Sequence, residues 1–294
     1  MKKKLSTGDI IFEVFLVIFM VLFTVVTLYP VLNTVATSFN DGFDSIVNKV
    51  HLWPHKFSLD NYKTVLAKPS LKQGALVSVA RTVVGTLLSL ALNALLAFIV
   101  SRKRFLFKRS VSLFWVITMY VNGGLIPVYL LFMKLHLLNS FWVYVIPGAV
   151  SAFNMLVMRN FMDGIPESLE ESAEIDGAGY FTIFVKIISP LCKPVYATIA
   201  LFVAVYQWNA WFDTMLYNRM ADQYTVLQYE LMKLLQQSMA SSGSVEGLKH
   251  NAAHVTPNAI RAAATVVTML PIICLYPFLQ RYFVTGLTIG GVKE

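Results

Sequence analysis

Charge is scarce in this chain: of its 294 residues only 14% are Asp, Glu, Lys or Arg, while 56% are hydrophobic. A mean hydropathy of +0.62 accompanies that balance, which excludes an ordinary soluble domain and points to an integral membrane protein. Cysteine is nearly absent. Cys192 and Cys274 are the only two, each beside or within apolar sequence, so a structural disulfide is not expected, and their spacing matches no metal motif. Both read as small core residues.

Missing too is any G-x-x-x-x-G-K-[ST] phosphate loop, and no Gly-Lys dipeptide occurs, so the chain has no such cradle for a nucleotide. No nucleophile carries a local signature: in Gly243-Ser244-Val245-Glu246-Gly247 the serine stands one position too early for a nucleophile elbow. His51 with His55, and His250 with His254, are four apart. Pro54 interrupts the first pair, and the second lacks the glutamate of a zinc protease, so no metal site is expected.

What the chain does have is long apolar runs. A helix needs about 20 apolar residues to cross a hydrocarbon core, and six candidates run from Ile10 to Thr37, Val77 to Val100, Val111 to Met133, Phe141 to Phe161, Val195 to Phe212 and Ile260 to Val284. The first is too long for a cleavable signal peptide and reads as an anchor. Lys2, Lys3 and Lys4 precede the first run, and Arg102, Lys103, Arg104, Lys108 and Arg109 separate the second from the third, whereas His136 to Ser140 has no Lys or Arg. The bias of Lys and Arg toward the inner face puts both termini in the cytoplasm. It also explains most of the net charge of +8 without a nucleic-acid partner, which would want a basic groove interleaved with aromatics. Segments 38–76 and 213–257 then lie outside. Trp53, Pro54 and Tyr62 in the first suit a membrane interface, in contact with lipid; the second carries an expected helix over Tyr224 to Met239 and a flexible break at Ser241 to Ser244.

Six of the sixteen acidic residues fall within fourteen positions: Asp163, Glu167, Glu170, Glu171, Glu174 and Asp176. One ionised side chain at the bilayer centre costs roughly 2.5 to 3.5 kcal/mol, so this cluster belongs in water or against another protein. Pro166 suits a first helical position, and Glu167 and Glu170 favour the positive end of the helix dipole. Glu167, Glu170, Glu171 and Glu174 recur at helical spacing on one face, with Leu169 and Ala173 on a less polar one. Gly177 and Gly179 end the helix, and Pro190 is placed to open the fifth span. A solvated interhelical loop would satisfy these facts alone.

The order Glu171-Ser172-Ala173, three residues, Gly177, nine residues, Ile187-Ile188-Ser189-Pro190 resembles the cytoplasmic EAA motif of permeases in binding-protein-dependent ABC importers. Asn122-Gly123-Gly124-Leu125-Ile126-Pro127, Ile175-Asp176-Gly177-Ala178, Tyr276 to Phe283 and the tail Gly286 to Lys293 extend the resemblance over nearly the whole chain. They are similar to the carbohydrate branch, in particular to permeases for complex, often uronate-containing oligosaccharides. The resemblance implies an all-α integral membrane fold: one permease domain over 1–294, six transmembrane helices, and a cytoplasmic coupling loop at 163–190 with a short coupling helix between the fourth and fifth spans.

It implies, further, that Glu170, Glu171, Ala173, Glu174, Asp176, Gly177 and Pro190 form the ATPase-coupling region, with Glu171, Ala173 and Gly177 seated in a groove of an ATPase. The implied partners are a second permease, a homodimeric ATPase holding the ATP and Mg that this chain does not bind, and an extracytoplasmic sugar-binding protein, at the bacterial plasma membrane.

Polar residues within the spans are candidates for the pathway. Asn93, Asn122 and Asn154 are isolated, and interhelical hydrogen bonding suits each as well as pathway lining. The fifth span is denser: Tyr206, Gln207, Trp208, Asn209, Trp211 and Asp213 supply rings for the C–H faces of sugars and polar groups for their hydroxyls. An interfacial aromatic belt explains them equally. An ion-coupled carrier would call for buried acids or matched broken helices in two halves, and Glu13 is too shallow for a relay. A non-transporting scaffold leaves the Glu171-to-Pro190 spacing without a purpose.

Overall fold

The computed structural model describes residues 7–241 and 255–288. Lys2 to Lys4, the break after Ser241, His250, His254 and the end of the tail lie outside them. Along the chain run α1 (Thr7–Ser38), α2 (Asp44–Val47), α3 (Asp60–Ala67), α4 (Pro69–Ser101), α5 (Lys108–Tyr120), α6 (Leu125–Lys134), α7 (Ala152–Asp163), α8 (Ser168–Ile175), α9 (Tyr180–Ile183), α10 (Ser189–Leu191), α11 (Lys193–Asn209), α12 (Phe212–Tyr217), α13 (Leu227–Ser241) and α14 (Pro257–Thr288). A π-helical turn, Phe184–Ile188, joins α9 to α10. Among the described residues there is no strand, only an isolated bridge between Asn40 and Phe57.

Among the described residues three helical stretches are long and apolar enough to cross a membrane: α1, α4 and Pro257–Cys274 of α14; two bent helix pairs raise the number to five. The expected third span is broken between α5 and α6 by 116°. Asn122-Gly123-Gly124 makes the break: Gly124 takes φ +84°, a left-handed conformation that glycine adopts without penalty, and its N–H donates to Asn122 Oδ1 at 2.9 Å. The expected fourth span, Phe141 to Phe161, is not one helix. A 3-10 turn over Phe141–Tyr144 gives way at Pro147-Gly148, where proline disfavours helix in the residue before it, and α7 restarts with the Ser151 hydroxyl accepting from the Asn154 N–H at 3.4 Å. The twelve residues of α7 span about 18 Å, short of a bilayer core. Around the fifth span the chain bends by 80° between Tyr180–Leu191 and α11. Pro190 lies in the short α10, and it is Lys193-Pro194 that opens α11.

The chain divides into two compact units. One holds the described residues up to Pro69 and Leu231 to Met269. In it α1 leaves a continuous apolar surface uncovered, as a lipid-facing helix does; Pro30 is accommodated within it, and the Thr34 hydroxyl bonds the Pro30 carbonyl at 2.8 Å. Segment 39–62 is folded rather than laid out as an interfacial strip. Phe39 stacks on Phe57 and meets Tyr62 at a tilt, and buried Asn61 donates to the carbonyls of Ser38 and Asn40 at 3.0 and 2.8 Å. Tyr62 is half-buried, and that burial pushes its phenol up; Trp53 is exposed. The amides of Asn40 and Asn48 hold the Asp44 carboxyl below its usual range.

The second unit, Ser70 to Glu230 with the described residues from Leu270 on, packs around α4, α7 and α11. Ala94, Ala97 and Phe98 of α4 meet Met155, Met158 and Met162 of α7 and Val195, Ile199 and Val203 of α11. Asn93 ties the layers: its amide donates to the Ala149 carbonyl at 3.1 Å and accepts from the Ser151 N–H at 3.0 Å. It fastens α4 to the segment that leads into α7. Cys192 is buried in this core and Cys274 is exposed, both as free thiols.

Candidate functional site

At one end of the second unit the acidic cluster runs from Asp163, the last residue of α7, through α8, eight residues, to its C-cap Asp176. Glu167 is the N-cap, so Pro166 stands just outside the helix rather than at its first position. At the other end the Gly177 N–H donates to the Glu174 carbonyl at 3.0 Å and the Ala178 N–H to the Ala173 carbonyl at 2.9 Å. This bond pair is the Schellman stop, which needs a left-handed residue; Gly177 has φ +80° with open space around its Cα. Backbone conformation, not crowding, demands glycine here.

The helix presents three sides. Ala173, only 8% exposed, packs into the core with Met158, Met162 and Ile188. Its side chain anchors α8 to this chain. A second side faces the basic residues following α4: Arg102 pairs with Glu170, Lys103 with Glu167 and Arg104 with Glu174 at 2.9 Å, and beside it Lys108 pairs with Asp163 of α7 at 3.4 Å. Burial pulls the Arg102 guanidinium down. A hydrogen bond to Glu167 raises Lys103, and the Tyr180 phenol followed by Glu174 raises Arg104. The third side, Ser168, Glu171, Ser172 and Ile175, is exposed, Ile175 to 86%. These four recur at i, i+3, i+4 and i+7, one helical stripe. The four glutamates thus divide: three turn to the basic strip, and Glu171 stays in solvent with no ion pair among the described residues. Asp176 is exposed beside Gly177.

At the opposite end of α4, 33 residues or about 50 Å long, the Ser78 hydroxyl accepts from the Leu227 N–H at 2.9 Å and Gln73 donates to the Gln223 carbonyl at 3.0 Å. Here a cleft of about 380 Å³ is lined by Leu125, Tyr206, Asn209, Ala210, Trp211, Phe212, Asp213 and Tyr217. The cleft collects four of the sequence candidates: Tyr206, Asn209, Trp211 and Asp213. Gln207 and Trp208 are buried behind it. Asn122 is not part of its lining and serves the bend described above.

Arg81 lies under the cleft and escaped the sequence reading. It is 1% exposed. Its Nε and Nη2 donate to Gln207 Oε1 at 3.1 and 2.9 Å, its Nη1 to the Ala210 carbonyl at 3.2 Å, and its two terminal nitrogens to the Asp213 carboxylate at 3.2 and 2.6 Å. The guanidinium also sits 4.3 Å from the Tyr144 ring centroid, a cation–π contact. Gln207 donates onward to the Tyr144 carbonyl at 3.2 Å. Gly85 makes room for this network, since a Cβ there would come within 2.6 Å of Gln207 Nε2. The signal was available: a lone charge inside the run Val77 to Val100 is costly enough to imply a buried partner.

Among proteins of known role, the chain is 35% identical over 287 residues to the polygalacturonan/rhamnogalacturonan transport system permease protein YtcP of Bacillus subtilis (strain 168), covering 96% of this chain and 98% of that one. It is 28% identical over 275 residues to the arabinooligosaccharides transport system permease protein AraQ of Halalkalibacterium halodurans, covering 91% and 92%. A crystal structure of a bacterial ABC transporter involved in the import of the acidic polysaccharide alginate contains a chain that superposes with TM-score 0.87 at 28% identity, covering 96% of this chain and all of that one. The family model of the binding-protein-dependent transport system inner membrane component matches residues 3–289. With nearly its full length so matched, the chain belongs to that family of inner-membrane transport components.

Proposed function

We propose that this chain is the permease subunit of an ATP-driven importer and forms half of the pathway for a carbohydrate, an oligosaccharide by analogy with its relatives. The observation that carries the reading is α8: a short acidic helix fastened to the core by Ala173 and to the strip after α4 by ion pairs, with Glu171 and Ile175 left outward. A helix held at two points moves with the elements that hold it, so a push on its outer stripe reaches α4 and α11 as a displacement of packed layers.

In this account six crossings place α8 and both termini in the cytoplasm, with the third, fourth and fifth interrupted where the chain bends. Segments 38–76 and 213–257 face outward toward an extracytoplasmic sugar-binding protein. A homodimeric ATPase supplies the ATP and Mg chemistry, gripping Glu171 and Ile175 here and the corresponding helix of a second permease. The outer cleft, with Tyr206, Asn209 and Trp211, contributes to the sugar path: rings cover C–H patches and the amide bonds hydroxyls.

In proteoliposomes the chain alone should carry no sugar, and uptake should appear only with the second permease, the ATPase and the binding protein together with ATP. Sugar flux through the purified chain alone would overturn the proposal.

A further inference from the structure

We propose that Arg81 is a specificity-determining positioning residue: from beneath the outer cleft it cancels the charge of Asp213, so that the wall admits an anionic solute such as a uronate-bearing saccharide. This rests on the reading of the cleft as part of the sugar path.

Among the described residues Asp213 is the one carboxylate lining the cleft, and its side chain is 23% exposed. A bare carboxylate in a wall of Tyr206, Trp211, Phe212 and Tyr217 would set a negative potential at the mouth, because low-dielectric walls focus the field of a single charge. Arg81 meets both carboxylate oxygens from a position with almost no solvent access. Its remaining donors are taken by Gln207 and the Ala210 carbonyl, so it does not itself reach into the cleft to bind sugar. The cation can therefore neutralise the wall without becoming a ligand. Gly85 keeps Gln207 close enough to hold the guanidinium from the other side. Neutral sugars should be indifferent to this arrangement, whereas acidic ones should depend on it.

The test reads the charge of the cleft directly. Asn209→Cys is introduced into the assembled importer with Cys192 and Cys274 replaced by alanine. The new thiol is then labelled with a cationic trimethylammonium-ethyl and an anionic sulfonato-ethyl methanethiosulfonate, the sulfonate standing in for a uronate carboxylate. Arg81→Gln should raise the ratio of cationic to anionic labelling rates by roughly fivefold. Asp213→Asn should lower it by a similar factor, and the double variant should return it close to the parent value. If Arg81→Gln does not assemble, Asp213→Asn alone decides. A ratio that does not move in Asp213→Asn, or that moves the same way in both single variants, overturns the proposal. Protection of the Asn209→Cys thiol by sugar is scored separately: its absence would count against the cleft as a path while leaving the measured charge balance standing.

Discussion

Glu171→Lys should reduce uptake by the assembled importer by about 30-fold or more, with the amount and helical content of the chain in the membrane unchanged. Glu171 holds no ion pair within the chain among the described residues, so its loss disturbs little of the chain's own packing. Its effect must then arise at the partner. Reversing a charge seated in a partner's polar groove leaves the groups that bonded the carboxylate unpaired in a desolvated contact, and disrupting a buried interfacial charge typically costs about 2 to 5 kcal/mol. Glu174→Lys is expected to act differently, because Glu174 is engaged by Arg104 and its reversal loosens α8 from the strip after α4. Sugar-stimulated ATP hydrolysis, measured alongside uptake and pull-down of the ATPase, separates the two: for Glu171→Lys both activity and capture fall together. Normal uptake in Glu171→Lys would remove the outer stripe of α8 from the mechanism.

Arg81→Leu should be the most damaging single change to the second unit, lowering its stability by about 3 to 5 kcal/mol, the usual cost of removing one partner of a buried ion pair. The variant strands the Asp213 carboxylate, Gln207 Oε1 and the Ala210 carbonyl at once. Removing both charges in Arg81→Leu with Asp213→Leu should recover the part of the loss that the unpaired Asp213 carboxylate causes, while Gln207 Oε1 and the Ala210 carbonyl stay without their donor. Thermal unfolding in detergent, followed by the yield of monodisperse protein, measures both. Equal unfolding temperatures for the parent and Arg81→Leu would mean that the network contributes nothing to the fold.

How much of this was legible in the residues depends on the kind of signal. The membrane class and the acidic helix followed from local chemistry: the acid cluster from Asp163 to Asp176 could not lie in lipid, and Gly177 marked the stop that φ +80° requires. Continuity of the spans was misjudged because hydropathy averages over a window longer than a turn. The residues that break the third and fourth runs, Asn122-Gly123-Gly124 and Pro147-Gly148, are ordinary turn formers that the surrounding apolar sequence outweighed.

Side-chain direction was least accessible. Nothing in the spacing of Tyr206 to Asp213 reveals that Gln207 turns inward to an arginine 126 positions earlier, while Asn209 turns to the cleft. Likewise helical spacing grouped Glu170, Glu171 and Glu174 together, but only the packed basic strip decides which of them remains free. Ala173 and Leu169 read as a less polar face, and the burial of Ala173 shows that the position of a helix can be held from inside its own chain.

Ile175, 86% exposed on the same stripe as Glu171, is the position from which to reach a partner: a short bifunctional crosslinker attached to Ile175→Cys in intact cells, in a background without Cys192 and Cys274, should capture the ATPase subunit from the cytoplasmic side. Labelling of that introduced thiol by a membrane-impermeant reagent added outside the cells, with no ATPase captured, would contradict the account.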